Sequence, residues 1–82
     1  MTEEQNKIIE LVRQTQLGDQ GAFALLYDEF VQRIYAFVRI KISGNPEQAE
    51  DVVQEVFLKA WKGVKNLDLK DLNFSAWLYK VA

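Results

Sequence analysis

The segment DVVQEVFLKAW, residues 51–61, decides the fold, because its apolar and charged residues separate onto two faces at the period of an α-helix. With successive residues about 100° apart, one wide face is apolar and consists of Ala49, Val52, Val53, Val56, Phe57, Ala60 and Val64. The opposite side, called the charged face below, carries Asp51, Glu55, Leu58 and Lys62, with Gln54 and Lys59 at its edges. The apolar face is predicted to lie on the core of a helical domain, and the feature that needs explanation is the leucine within the charged face.

The charged face has two interpretations. Its acids lie near the N-terminal end of the helix and its lysines near the C-terminal end, where the helix dipole stabilises them, and Glu55 and Lys59 have the favourable i,i+4 spacing. A solvated surface explains this pattern, since single exposed leucines are common. A docking face also explains it, because Leu58 would make an apolar contact inside a polar rim. Asp51, Gln54 and Glu55 would then pair with a basic partner, and the sequence alone leaves both interpretations open.

Capping residues place two further helices before this one. Thr2 and Gln5 have the spacing of a capping box at the start of a first helix, which Gly18 is predicted to end. Asp19 can cap a second helix. Apolar residues at the helical period predict that this second helix runs from about residue 21 to about residue 42.

The segment SGNPEQ, residues 43–48, separates the second helix from the third. Gly44 is predicted to take the left-handed conformation at the end of the second helix. Asn45 is predicted to cap the third helix, with Pro46 in the first helical position and Gln48 completing a box-like pair.

Gly63 is predicted to end the third helix, and the segment that follows, VKNLDLKDLN (residues 64–73), has no helical period. Its three leucines predict an ordered loop rather than a flexible linker. Asn73 is predicted to cap a fourth helix. The sequence ends on YKVA without a helix stop signal, so we expect the fourth helix to continue in a longer protein. The expected fold is all-α, a compact bundle of about four helices forming one domain over residues 1–82.

The composition excludes several functional classes. The 82 residues include 12 acidic and 10 basic side chains, for a net charge of −2, which is not typical of a general polyanion binder. Cysteine and histidine are absent, so disulfides, thiolate or imidazole metal sites and the commonest general base are excluded. No cofactor and no metal are predicted. The longest apolar run, AFALLY at residues 22–27, is far too short to span a membrane.

Three ordered motifs carry a resemblance to a known family. They are GD..AF..LY at residues 18–27, AEDVVQE.FLKAW at residues 49–61 and F.AWLYK.A at residues 74–82. From about Leu17 onward the sequence resembles region 2 of a bacterial RNA polymerase sigma factor of the extracytoplasmic-function (group IV) type. The resemblance implies a cytoplasmic transcription initiation factor that has no enzymatic activity and needs no cofactor. It also implies that the separate C-terminal promoter-binding domain of such factors is absent from this chain.

The resemblance implies a role for the charged face. In this family the corresponding surface docks on the clamp coiled coil of the β′ subunit of RNA polymerase core. The positions carried over to this chain are Asp51, Gln54, Glu55 and Leu58. The leucine would pack on the partner helix, inside a charged rim.

The resemblance further implies that the loop before the fourth helix, and that helix itself, recognise and melt the promoter −10 element. One base of the non-template strand would be flipped into a pocket that the loop forms. The positions carried over are Leu67, Asp68, Lys70, Asn73, Ser75, Ala76, Tyr79 and Lys80. Tyr79 could stack on a base or pack in the core, and Lys80 could contact a phosphate. Phe74 and Trp77 are assigned to the core, because they share the apolar stripe of the fourth helix.

Two acidic residues depart from what DNA binding favours. Asp68 and Asp71 flank Lys70 in the loop, and carboxylates repel phosphate although they accept hydrogen bonds from cytosine or adenine amino groups. The base preference of the loop is therefore open. An anti-sigma factor that covers the same surfaces is a further partner implied by the resemblance, and no membrane partner is expected.

Three other functions compete with this interpretation. An interaction module without a DNA function would use an acidic helical face in the same way. A helix-turn-helix regulator with SGNP as its turn would place the acidic sequence EQAEDVVQE on DNA, which would repel it. An enzyme is the least supported, because no Cys, His or glycine-rich phosphate loop accompanies the carboxylates.

Overall fold

The computed structural model describes residues 2–82, and four α-helices account for most of them. They are α1 (Glu3–Gln16), α2 (Gln20–Ile42), α3 (Pro46–Gly63) and α4 (Phe74–Val81), with a short 3-10 helix (Val64–Asn66) directly after α3. No strand occurs in these residues. The prediction of an all-α, four-helix fold is confirmed. None of the helices in residues 2–82 is both long enough and apolar enough to cross a membrane.

Side-chain caps fix three of the helix starts at the predicted residues. Thr2 Oγ1 accepts a hydrogen bond from the Gln5 N–H (3.1 Å), and the Thr2 N–H donates to Gln5 Oε1 (3.1 Å), which completes the capping box of α1. Asp19 Oδ1 accepts from the N–H three residues further on (3.0 Å) at the start of α2. Asn73 Oδ1 does the same (3.0 Å) at the start of α4. Each cap satisfies an N–H that the helix itself cannot pair.

The turn between α2 and α3 differs from its prediction at one residue. Ser43, not Gly44, takes the left-handed conformation, with φ 40° and ψ 47°. Asn45 caps α3 as predicted, but among the described residues Gln48 returns no hydrogen bond to it. The reversal thus occurs at the C-cap residue of α2 itself, and Asn45 has the extended conformation that a following proline favours.

The core is built around α2. Its buried residues recur four positions apart, at Leu26, Phe30, Ile34 and Val38, and α1 and α3 both pack against this helix. The fully or nearly buried residues that α1 and α3 contribute are Ile8, Val12, Ala49, Val53, Val56, Phe57 and Ala60. Because α2 packs on two neighbours, its apolar residues are spread over a wide face.

The short helix α4 runs beside the second half of α2 in the same direction. The Phe74 ring contacts Phe30 near the start of α4, with centroids 5.4 Å apart. Near its end the Tyr79 ring meets Phe37 edge to face, with centroids 5.2 Å apart. This alignment brings the outer side of α4 next to the solvent-facing side of α2.

Two adjacent leucines of α2 test the assignment of the core. Replacing Leu26, which is fully buried, with Ala should lower the free energy of unfolding by about 2–5 kcal/mol, because it leaves a cavity. The same change at Leu25, which is 55% exposed, should alter it by less than about 0.5 kcal/mol. Urea denaturation followed by circular dichroism measures both values. Equal losses from the two variants would contradict the packing described here.

Candidate functional site

The charged face of α3 is exposed along its length. Asp51, Gln54, Glu55 and Leu58 are all exposed, and Leu58 keeps 55% of its surface accessible. On the other side of α3 the predicted core residues are buried, except Val52, which is half-buried. The sequence-based division of this helix into two faces is therefore confirmed.

The acids of the charged face form no ion pair within residues 2–82. The ion pair found in that part of the chain joins Arg13 to Glu10 on α1, where the hydrogen bond from the guanidinium lowers the pKa of the Glu10 carboxyl and raises that of Arg13. The i,i+4 spacing of Glu55 and Lys59 does not produce such a pair. Within the described residues, the carboxylates of Asp51 and Glu55 therefore remain available to a basic partner.

An apolar groove of about 410 Å³ adjoins the charged face. Leu58 and Gln54 line it from α3, and Phe23 lines it from α2. The half-buried Trp61 ring meets Phe23 edge to face, with centroids 5.1 Å apart, and forms another part of the wall. Leu58 is thus the exposed edge of a larger apolar surface rather than an isolated leucine.

The start of the loop after α3 is held by a side chain of α1. Gln16 Nε2 donates hydrogen bonds to Val64 O (2.9 Å) and to Leu67 O (2.8 Å). The Leu67 side chain is half-buried, whereas Asp68 and Lys70 are exposed. Asp68 Oδ1 accepts a hydrogen bond from the Lys70 N–H (2.9 Å), which fixes a local turn. Gln16 was not among the predicted site residues, because nothing in the sequence links positions so far apart.

The remainder of the loop is ordered by burial of its leucines. Leu69 and Leu72 are half-buried and pack against the core, as the sequence predicted. Asp71 takes a positive φ of 57°, a conformation that aspartate tolerates better than most residues. The backbone reversal at this aspartate leads the chain into the cap of α4.

The predicted residues of α4 lie on its outer side. Ala76 and Lys80 are exposed, and Ser75 and Tyr79 are half-buried. Phe74 is buried and contacts the half-buried Trp77 ring (centroids 5.6 Å apart). A Cβ at Gly63 would lie 3.1 Å from that tryptophan ring, so α3 and α4 approach closely there. The aromatic residues of α4 are therefore used largely in packing.

A cleft of about 270 Å³ opens where the loop, α2 and the start of α1 meet. Leu72, Asn73 and Ser75 line one side of it, and Arg33 of α2 lines another. Asn73 and Ser75 were predicted site residues, and the fold places them together with an arginine that the sequence analysis did not single out. The six other predicted residues do not line this cleft: Leu67, Asp68, Lys70, Ala76, Tyr79 and Lys80.

No cluster of carboxylate side chains in residues 2–82 has the geometry of a metal site. Every buried side-chain nitrogen or oxygen in this part of the chain has a hydrogen-bond partner.

Comparison with known proteins identifies the family. The model of the Sigma-70 region 2 family matches residues 26–82. The chain belongs to the Sigma-70 region 2 family, which confirms the resemblance found in the sequence.

Curated relatives are sigma factors of several bacteria. The chain is 37% identical over 71 residues to the ECF RNA polymerase sigma factor SigW of Bacillus subtilis, a match that covers 87% of this chain and 37% of that protein. It is 32% identical to the ECF RNA polymerase sigma factor BldN of Streptomyces coelicolor, over 93% of this chain and 28% of that protein. It is 34% identical to the RNA polymerase sigma-H factor of Pseudomonas aeruginosa, over all of this chain and 40% of that protein. The chain therefore spans well under half the length of these relatives.

A solved structure shares the fold. An NMR structure of an engineered region 2 of sigmaE in complex with GTAAAA superimposes with a TM-score of 0.81 and 33% sequence identity. The match covers 99% of this chain and 81% of that one.

The hydrogen bonds from Gln16 should control the order of the loop. Gln16→Glu keeps the size of the side chain but cannot donate to two carbonyls, so the segment 64–72 should lose about 1–3 kcal/mol of protection. Hydrogen exchange measured residue by residue reports this as faster exchange confined to that segment. Gln32→Glu, at an exposed position of α2 without a side-chain hydrogen bond among the described residues, is the control. Unchanged protection of residues 64–72 in Gln16→Glu would show that other contacts order the loop.

Proposed function

We propose that this chain binds RNA polymerase core through the charged face of α3 and recognises and melts the promoter −10 element with the loop and α4. Family membership supports the general role. The observation that carries the assignment to residues is the exposed face of α3, in which Asp51 and Glu55 form no ion pair within residues 2–82 and are followed by a leucine that opens onto an apolar groove. A solvated surface explains the carboxylates but not the groove beside Leu58.

The polymerase contact would combine charge with apolar packing. Asp51, Gln54 and Glu55 lie on the exposed side of a regular helix, so a basic helix laid along α3 could reach all three. Leu58 would enter the partner's apolar surface at one end of this row. Such an arrangement fixes the register of two helices and makes the rate of association depend on salt. The partner that fits this chemistry is the clamp coiled coil of the β′ subunit.

The groove extends this surface beyond the residues that the sequence indicated. Phe23 and Trp61 present ring edges beside Leu58, and aromatic residues of this kind are enriched at the centre of protein interfaces. We therefore include the two aromatic residues in the docking surface. An anti-sigma factor that inhibits the chain would compete for this same area.

The promoter contact would be centred on the cleft beside Asn73. The Oδ1 atom of Asn73 is used in the cap of α4, and its amide NH₂ makes no hydrogen bond within residues 2–82, so it can donate to a base. Arg33 lines the same cleft and can neutralise a phosphate. Leu67, Asp68 and Lys70 would contact neighbouring nucleotides from the loop.

The outer side of α4 would continue the contact with the non-template strand. Lys80 and Ala76 are exposed, and Ser75 and Tyr79 are accessible in part. The Tyr79 ring packs edge to face on Phe37, so any base stacked on it would use the surface that Phe37 leaves uncovered. We assign no enzymatic step and no cofactor to this process. Separation of the strands would be driven by the free energy of binding the unstacked bases.

Reversing one charge on α3 tests the polymerase contact. Asp51→Lys should weaken binding to core RNA polymerase, or to its isolated clamp coiled coil, at least about tenfold, or about 1.4 kcal/mol. Raising the salt concentration should weaken the wild-type complex more than that of the variant, because one attractive charge pair has been removed. Fluorescence anisotropy of the labelled chain measures both effects.

Glu29→Lys is the matched control for that experiment. Glu29 is an exposed acid on the α1 side of α2, so the same change of charge should leave the affinity for polymerase within about twofold. Circular dichroism checks that both variants are folded. If Asp51→Lys and Glu29→Lys bind as the wild type does, the charged face is a solvated surface and the docking proposal fails.

Asn73→Asp tests the promoter contact without removing the cap of α4. The aspartate keeps an oxygen for the capping hydrogen bond but has no NH₂ group to donate to a base. Affinity for a fluorescent single-stranded oligonucleotide that contains GTAAAA should fall about fivefold or more, equivalent to about 1 kcal/mol. Asn66→Asp makes the same change at an exposed position of the 3-10 helix and should have a smaller effect. Equal losses in the two variants would indicate general repulsion and contradict a specific role for Asn73.

A further inference from the structure

A row of cationic and aromatic residues on α2 lies outside the three sequence motifs, which occupy residues 18–27, 49–61 and 74–82. Arg33, Phe37 and Lys41 are spaced four residues apart and therefore share one side of the helix. All three are exposed, although Phe37 only to 36%. They are called the basic stripe below. With a rise of 1.5 Å per residue, the two cationic residues are about 12 Å apart along the helix axis.

Contacts with the neighbouring helix place the basic stripe beside α4. Phe37 packs edge to face on Tyr79, with centroids 5.2 Å apart. Lys41 Nζ lies 5.7 Å from the centroid of the Phe37 ring and donates a hydrogen bond to Ala82 O (3.3 Å). The stripe thus follows the junction of α2 and α4, where the Phe37 and Tyr79 rings meet.

The other end of the stripe reaches the cleft beside the loop. The Arg33 guanidinium carbon lies 5.5 Å from the centroid of the Phe30 ring, and Arg33 lines the cleft together with Asn73 and Ser75. Neither Arg33 nor Lys41 forms an ion pair within residues 2–82. The stripe therefore begins at the cleft with Arg33 and ends with Lys41 beside Ala82, the residue that follows α4.

Acidic residues limit this surface on the side of α1. Glu4 lines the far wall of the same cleft, and Glu29 precedes Arg33 by one turn of α2. Carboxylates at these positions would repel a phosphate backbone, so a bound strand would turn along the stripe instead of crossing α1. This distribution of charge favours a path for the strand along α2 over a path across α1.

We propose that the basic stripe is a track for the backbone of single-stranded DNA leaving the cleft. The proposal rests on the promoter function proposed above and extends it from Arg33 at the cleft along α2 to Lys41. Arg33 and Lys41 would each bind a phosphate, and the Phe37–Tyr79 pair would offer an aromatic surface to a base between them. Cations alternating with aromatic rings along a groove are the features that bind single strands with little regard to sequence. Phosphate contacts of this kind position a strand but do not read its bases.

Neutralising the two cations tests the track. Arg33→Gln and Lys41→Gln should each lower the affinity of the 82-residue chain for single-stranded GTAAAA by a factor of about three to ten. The affinity for a scrambled oligonucleotide should fall by the same factor. The slope of log K against log salt should become shallower by about 0.7 for each phosphate that is no longer bound, and by about 1.4 in the double variant. Fluorescence anisotropy at several low salt concentrations provides these values. Lys7→Gln, at an exposed position of α1, is the control that should leave both affinity and slope unchanged.

A conservative variant separates the contact with DNA from a structural role. Arg33→Lys keeps the charge but changes the group that lies over Phe30, and it should retain most of the affinity. If Arg33→Lys lowers the affinity as much as Arg33→Gln does, and circular dichroism shows an altered fold, the arginine acts by packing and the proposed track is wrong.

The outcomes also separate this proposal from the promoter function. If wild type binds and Asn73→Asp weakens binding, but Arg33→Gln and Lys41→Gln do not, the promoter function stands and the track is rejected. Loss of affinity for GTAAAA alone, with the scrambled strand unaffected, would mean base recognition and would likewise overturn a backbone track. Failure of the wild-type chain to bind either strand at low salt would reject both proposals.

Discussion

The burial of α2 on two sides is the constraint on which the other features depend. Leu26, Phe30, Ile34 and Val38 form one line along this helix, and α1 and α3 pack around it. A chain of this length can form only a small core, so each neighbouring helix has to turn its own apolar face inward. That requirement orients α3 with its acids outward and brings the loop after α3 back toward α1. The position of every proposed contact follows from this packing.

Although the net charge is small, acidic and basic residues are clustered at different places on the surface. The carboxylates of α3, at Asp51 and Glu55, are displayed on one surface, whereas Arg33 and Lys41 lie along the junction of α2 and α4. A net charge of −2 is therefore compatible with binding a basic protein surface and a nucleic acid backbone at different places. The average charge of a small domain is a poor guide to its partners when charged residues are clustered at separate places on its surface.

The sequence predicted the features that depend on local chemistry. The caps at Thr2, Asp19 and Asn73 and the two faces of α3 follow from the helical period and from side chains that bond within one turn. The exposed residues of the charged face could be named for the same reason. The left-handed residue before α3 was misplaced by one position, because the preference for glycine at the end of a helix is a statistical tendency that does not determine which residue forms the turn.

Features that join distant parts of the chain could not be predicted in this way. The bonds from Gln16 to Val64 and Leu67 span 48 and 51 residues, and no periodic pattern encodes such a pairing. The groove beside Leu58 depends on how α2 crosses α3, so Phe23 became part of the site only once the helices were placed. The role of α2 in the proposed DNA track also depends on the position of α4.

The central claim is that one small helical domain carries two separate binding surfaces, one for polymerase and one for the single strand. The most direct measurement is an NMR titration of the isotope-labelled chain with the clamp coiled coil and then with single-stranded GTAAAA. We expect the first ligand to shift the amide signals of residues 51–61 and the second to shift those of residues 67–80 and of the second half of α2, with both bound at once. Overlapping sets of shifted signals, or displacement of one ligand by the other, would contradict it.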